Sequence, residues 1–282
     1  MRDYFNKHVI QKWLIYTLIF FSLVYLTLTV SFRPSHDRLW ELGQESMPYI
    51  AITETGQIDI TNFRNFDWQK NSETTPNYET RSYKLEDLKT VDVLISHFAD
   101  FEGLAHIFLS FGFANNEYVV VSLETRREIG ETFSPILGIL RQFEIIYVVG
   151  SEEDIIGVRT DVRENERVYL YPTIATPEKA RALFMALAKD INETYTKPKM
   201  YNTLLNNCTN GITRRVEDIA DINFPITWKT ILPGYFDEVL YEMNLIESSE
   251  SFDQIKKKHL INNDAVDRYE DTYSIDLRKD RY

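Results

Sequence analysis

Residues 13–32 are a run of 20 amino acids without a charge, and no other stretch restricts the chain as much. Its length matches the hydrocarbon thickness of a bilayer. No polar face interrupts it, which sets it apart from the amphipathic helices of a soluble core. It is also longer than the apolar centre of a typical signal peptide, and Thr29-Val30-Ser31 is a poor substitute for an Ala-x-Ala cleavage site. A retained membrane anchor is therefore expected. Arg2, Lys7, Lys12 and the free amino terminus precede it, and only Arg33 and Arg38 follow closely. That bias puts the amino terminus in the cytoplasm and all that follows residue 32 outside it. The expected division is a cytoplasmic tail over 1–12, an anchor over 13–32, a membrane-proximal segment over 33–60, and a folded domain over 61–282 ending in a helical extension.

Composition narrows the function of that domain. A net charge of −12 argues against a nucleic-acid partner. A single cysteine excludes an intrachain disulfide and a multi-cysteine metal site. There is no His-Glu-x-x-His, no glycine-rich phosphate loop and no Gly-x-Ser-x-Gly. No metal or cofactor is expected.

Patterning gives the elements. Residues 34–47 have some helical character. Short strands are expected over 49–54 and around Ile58 and Ile60, then a polar loop over 69–80. Strand-like runs follow at 91–96, 104–113, 118–124, 145–149, 155–160 and 168–171. The polar turn over 114–117 makes 104–113 and 118–124 an antiparallel hairpin. Pro177 opens a helix with Ala180, Leu183, Phe184, Leu187, Ala188 and Ile191 inward. A second helix carries Ile212, Val216, Ile219 and Ala220 on one stripe, with Thr209 or Asn210 as its cap. A third, after Pro233-Gly234, turns Phe236, Val239, Leu240 and Met243 inward. Beyond residue 247 the chain is polar, but Tyr269, Tyr273, Ile275 and Leu277 predict that it packs on something. An antiparallel sheet followed by helices is an α+β domain.

The chemistry centres on Cys208. It lies at a helix start, where free N–H groups and the helix dipole favour thiolate; an inert packing cysteine is the plain alternative. A thiol nucleophile needs a base. Of five histidines, His8 precedes the anchor, His36 lies near the membrane, and His259 belongs to a basic run read as solvated. His97 ends one strand and His106 begins another. Alternation puts His106, Phe108, Ser110 and Gly112 on one strand face, and Ile107, Leu109, Phe111 and Phe113 on the other, taken as the core. His106 is then either the base or a structural histidine. Ser122 and Glu124 share its parity on the next strand; Glu124 is the residue expected to orient its ring, with Ser122 as a positioning candidate and an exposed strand-end charge as the plain alternative for Glu124. Asn206, Asn207 and nearby backbone N–H groups are oxyanion candidates. Arg64, Arg126, Arg127 and Tyr201 are the substrate-binding candidates; the arginines, with Arg141, suit an anionic headgroup or equally the salt bridges of an acidic protein.

Several motifs resemble the Lnb-type periplasmic domain family: Asn62-Phe63-Arg64-Asn65-Phe66, residues 104–113, 121–128 and 141–148, Tyr201 through Thr209, and Leu232-Pro233-Gly234-Tyr235. The resemblance covers roughly residues 60–280. Some members of that family are lipoprotein N-acyltransferases, which move a fatty acyl chain onto the amino-terminal cysteine of a lipoprotein. They often carry further membrane helices after the domain. The resemblance implies a circularly permuted papain-like (NlpC-like) fold with the His before the Cys, His106 as base and Cys208 as nucleophile, and His97 in a supporting role at best. It also implies membrane lipid, and with it lipoproteins, as partners. A peptide or cell-wall amidase and a non-catalytic envelope binding module are the alternatives.

Overall fold

The computed structural model describes residues 2–70, 73–163, 165–247, 249–262 and 266–281. Helix α1 (Arg2–Ser31) contains the apolar span Lys7–Leu28, none of which is buried against the rest of the protein. The segment after it is irregular rather than helical. It is held to the domain by an isolated bridge between Trp40 and Glu128.

The domain is built on strands β1 (Tyr49–Ile52), β2 (Gln57–Arg64), β3 (Tyr78–Lys84), β4 (Leu88–His97), β5 (Ala105–Phe113), β6 (Tyr118–Arg126), β7 (Glu144–Gly150) and β8 (Arg167–Pro172). They form one sheet in the order β1-β2-β7-β6-β5-β4-β8, with β3 also paired to β2. Every pairing is antiparallel except β2 with β7, where Arg64 lies parallel to Gly150. The sheet is therefore mixed, not purely antiparallel. The helices are α2 (Pro135–Ile139), α3 (Glu152–Ile155), α4 (Pro177–Thr196), α5 (Cys208–Ala220), α6 (Trp228–Ile231), α7 (Phe236–Glu242), α8 (Phe252–His259) and α9 (Tyr273–Asp276).

Two segments depart from their pattern. β3 lies within and beyond the expected loop over 69–80 (residues 71–72 of which fall outside the described residues). Its sequence YETRSYK is polar because it is an edge strand that buries only Tyr83. Residues 155–160 are not a strand. Ser151 accepts from the Asp154 N–H, and Glu152, Glu153 and Asp154 occupy the first turn of α3. A capped acidic helix start outweighs the short apolar run, and a π-helical turn, Val158–Val162, follows.

Both faces of the sheet are covered, so the division into core face and open face does not hold. Ile107, Leu109, Phe111, Val121 and Leu123 pack under α4, α5 and α7, whose Phe184, Leu187, Ile212 and Phe236 reach them. Phe108, Leu94, Val120, Val148 and Leu170 pack under Ile155, Ile156, Ile261, Tyr273 and Leu277. Of the late residues expected to pack, Tyr273 and Leu277 do; Tyr269 and Ile275 are exposed. His259 is not solvated either. It is buried, and its Nδ1 donates to the Leu170 carbonyl at 2.7 Å.

The second face is closed by an ion cluster. Arg278 donates from Nε to Asp92 at 2.7 Å and from Nη1 and Nη2 to Glu152 at 2.9 and 2.6 Å, all buried. Removing one partner of such a group strands a buried charge, which costs about 3–5 kcal/mol. Arg278→Met should lower unfolding free energy by about that amount in urea melts; a loss within error would mean that the C-terminal segment does not close this face.

Candidate active site

β5 and β6 pair only from Leu109–Val121 to Gly112–Tyr118. Toward the start of β5 they part, and a cleft of about 360 Å³ opens there. Its walls include His106, Glu124, Arg127, Arg159, Glu166, Tyr201 and Cys208, with Gln44, Phe98 and Phe133 at the sides.

Cys208 is the first residue of α5. The cap is Asn207, two or three residues earlier than the pattern suggested, and its side chain accepts from the Asn210 N–H. Asn207 Nδ2 donates to the Thr203 carbonyl, and Asn206 Nδ2 to that of Met200 at 3.2 Å. Both side chains are thus spent on the loop and the cap, while the first-turn N–H groups of α5 have no intrahelical acceptor and that of Asn210 is taken by the cap. Backbone groups of Ile107, Thr209 and Cys208 itself, and the Thr209 hydroxyl, favour thiolate, yet burial outweighs them and pushes the thiol up. The lowered thiol expected of a helix start is therefore not found: desolvation exceeds what one turn of dipole supplies.

His106 keeps its position on the strand face opposite Ile107. Its Nε2 is 2.7 Å from Ser122 Oγ, and Ser122 Oγ donates to Glu124 Oε1 at 3.0 Å. A carboxylate only accepts, so the single Ser122 proton goes to Glu124, and the serine oxygen must accept from His106. His106 is thereby the Nε2–H tautomer, with its basic lone pair on Nδ1. Arg159 completes the relay: Nη2 donates to Glu124 Oε1 at 2.9 Å, and its guanidinium lies over the Phe108 ring at 4.9 Å. The Glu124 carboxyl feels burial pushing it up, but Arg159, His106 and Arg64 hold it well below the usual range. Burial brings His106 down to about 4, against the pull of Glu124 and with the push of Arg159 and Arg163. The imidazole is thus neutral at physiological pH. No hydrogen bond joins Cys208 Sγ to His106; they share the cleft from opposite strand faces.

The other candidates separate. Arg127 lines the cleft and donates to Glu41 at 2.9 Å. Tyr201 lines it too, its phenol raised by burial and by Cys208. Arg64 and Arg126 do not reach it. Arg64 makes a bidentate pair with Asp154, 2.9 Å on each side. Arg126 donates to the carbonyls of Gln44 and Glu45 at 2.9 and 2.8 Å and lies 4.1 Å over Trp40. Both are structural cations rather than headgroup ligands. His97 is buried beside Tyr169, 3.7 Å from Glu102, away from the cleft. Arg159 carried no signal in the sequence, because it sits in the turn that reads as a strand.

The model for the Lnb N-terminal periplasmic domain matches residues 74–234, more than half of the sequence. The chain belongs to this family. The matched span of the Lnb domain holds His106, Ser122, Glu124, Arg159 and Cys208. No curated protein and no solved structure matches the chain.

The lowered His106 makes a stability prediction. Above its unfolded value of 6.5 the ring is neutral whether folded or not. Between 6.5 and about 4 the unfolded chain takes a proton that the folded one refuses, so stability falls with pH, by at most about 3 kcal/mol. His106→Gln should lose less stability than the parent over this interval in urea melts at stepped pH. Equal losses would show that His106 does not resist protonation.

Proposed function

We propose that this Lnb-domain protein is a membrane-anchored, extracytoplasmic Cys–His acyl-transfer enzyme acting on phospholipid or lipoprotein acyl groups. The observation that carries the reading is the hydrogen-bond chain from His106 through Ser122 and Glu124 to Arg159, which assigns the proton to Nε2 and leaves Nδ1 as base in the cleft that Cys208 lines. Nδ1 takes the thiol proton as Sγ bonds to an acyl carbonyl carbon, and the same proton then goes to the leaving oxygen as its bond to the acyl carbon breaks. The acyl thioester passes its chain to an amine, or to water. First-turn N–H groups of α5 receive the oxyanion. Apo catalytic pairs are often long and tighten with substrate, which accommodates the absent Cys208–His106 bond. A nucleophile-bearing helix start against a sheet that carries the base, with His before Cys, supports the permuted papain-like reading.

A non-catalytic envelope module is favoured by two features: the raised thiol and the unmade Cys208–His106 bond. Incubation with phospholipid followed by intact-mass analysis decides between them. An enzyme should gain one acyl chain on Cys208, and lose at least about a hundredfold in rate as Cys208→Ser or His106→Ala. No adduct, with thiol-probe labelling equal to that of the denatured chain, leaves the binding module.

The charge bias around α1 supports an amino terminus in the cytoplasm. A carboxyl-terminal reporter that is active only in the cytoplasm should be silent; a strong signal would reverse the orientation.

A further inference from the structure

The anchor meets the domain at one end of the sheet. α1 ends at Ser31, and four residues later the Ser35 N–H donates to Glu144 Oε1 at 3.3 Å. Four extended residues span at most about 14 Å, and the hydrogen bond and the Glu144 side chain add less than about 10 Å more, so the start of β7 stays close to the helix end. Arg126 pairs with Glu144 across β6 and β7, and its Nη1 is 3.1 Å from His36 Nδ1. The cleft opens at this same end, where β5 begins and β6 finishes. The 114–117 turn is at the other end, a nine-residue strand away, about 30 Å.

The cleft end is also where large apolar side chains stand in the open. Leu39, just after the anchor, is 77% exposed, and its carbonyl accepts from the N–H of Ile129, itself 71% exposed. Ile136 and Ile139 project from α2. The loop carrying Leu204 and the 67% exposed Leu205 is fastened to α2 by Thr203 Oγ1 to the Pro135 carbonyl and Asn202 Nδ2 to that of Ile139. A collar of exposed apolar side chains gathered at one end in this way marks an interaction surface.

We infer that this collar is a membrane-docking surface: Leu39, Ile129, Ile136, Ile139, Leu204 and Leu205 insert at the headgroup–acyl boundary of the bilayer that holds α1, so that the cleft opens onto lipid. The inference rests on the reading of α1 as a retained anchor, and it commits to lipid because the short tether from Ser31 to Ser35 holds this end of the sheet beside the bilayer that α1 would span. Side chains that dip into the interface add apolar burial to the hold of the anchor.

The test uses the full chain in phosphatidylcholine–phosphatidylglycerol vesicles, in a Cys208→Ser background so that one introduced cysteine takes an environment-sensitive dye. Dyes at Ile139→Cys and Leu205→Cys should be quenched by lipids bearing a nitroxide near the acyl carbonyl at least about twice as strongly as one at Asn115→Cys, on the distal turn. A chain that stays in carbonate-washed vesicles with all three dyes quenched equally overturns the collar alone. A chain that washes off overturns the anchor reading and the collar together. Dyes at 139 and 205 that escape lipid quenching but are shielded from iodide overturn the lipid assignment and give the surface to a second copy of the chain.

Discussion

Covering a sheet on both faces leaves only its ends free for chemistry. Here α4, α5 and α7 seal one face, and α3 with the C-terminal segment seals the other. One opening lies where β5 and β6 stop pairing and their ends diverge. That constraint explains how residues of opposite strand faces line one cleft. Cys208 comes over the end from the helical layer. His106 comes from the layer beneath, and the parted strands let both reach the same space. It also explains the cost: groups set at the junction of two sealed layers are desolvated, and that burial raises the thiol and lowers the imidazole alike.

Burial and charge compete differently at each group. Glu124 is desolvated as His106 is, but Arg159 bonds it directly and keeps it ionised. An ionised Glu124 takes the proton of Ser122 and so settles which imidazole nitrogen carries hydrogen. The chemistry open to His106 is therefore decided by an arginine that does not touch it, a dependence of the kind seen when outer groups orient an inner ligand.

The legible parts of this sequence were those governed by local pattern. The β5–β6 hairpin, the inward face of α4 and the shared parity of His106, Ser122 and Glu124 follow from alternation and helical spacing, and the structure has all three. What escaped was non-local or locally contradictory. β3 is polar because its outer side meets solvent. Residues 155–160 look like a strand until the Ser151 cap is weighed. His259 sits among lysines yet is buried, because only the docking of α8 on β8 decides its surroundings. Arg64 and Arg126 resemble ligand cations in a list of residues, and become structural ones only when Asp154 and the Gln44–Glu45 carbonyls are folded against them.

The Arg278 cluster sets an order of events. Its partners Asp92 and Glu152 lie 186 and 126 residues earlier in the chain. Until residue 278 is available, this side of the sheet, including Phe108 and Val148, is covered by Ile155 and Ile156 of the α3 region but lacks the part of its lid that Tyr273 and Leu277 supply. Contacts so distant in sequence form late, since a long loop must close before they reward it. During synthesis this protein therefore carries a half-covered apolar surface until the segment around Arg278 docks and latches it shut.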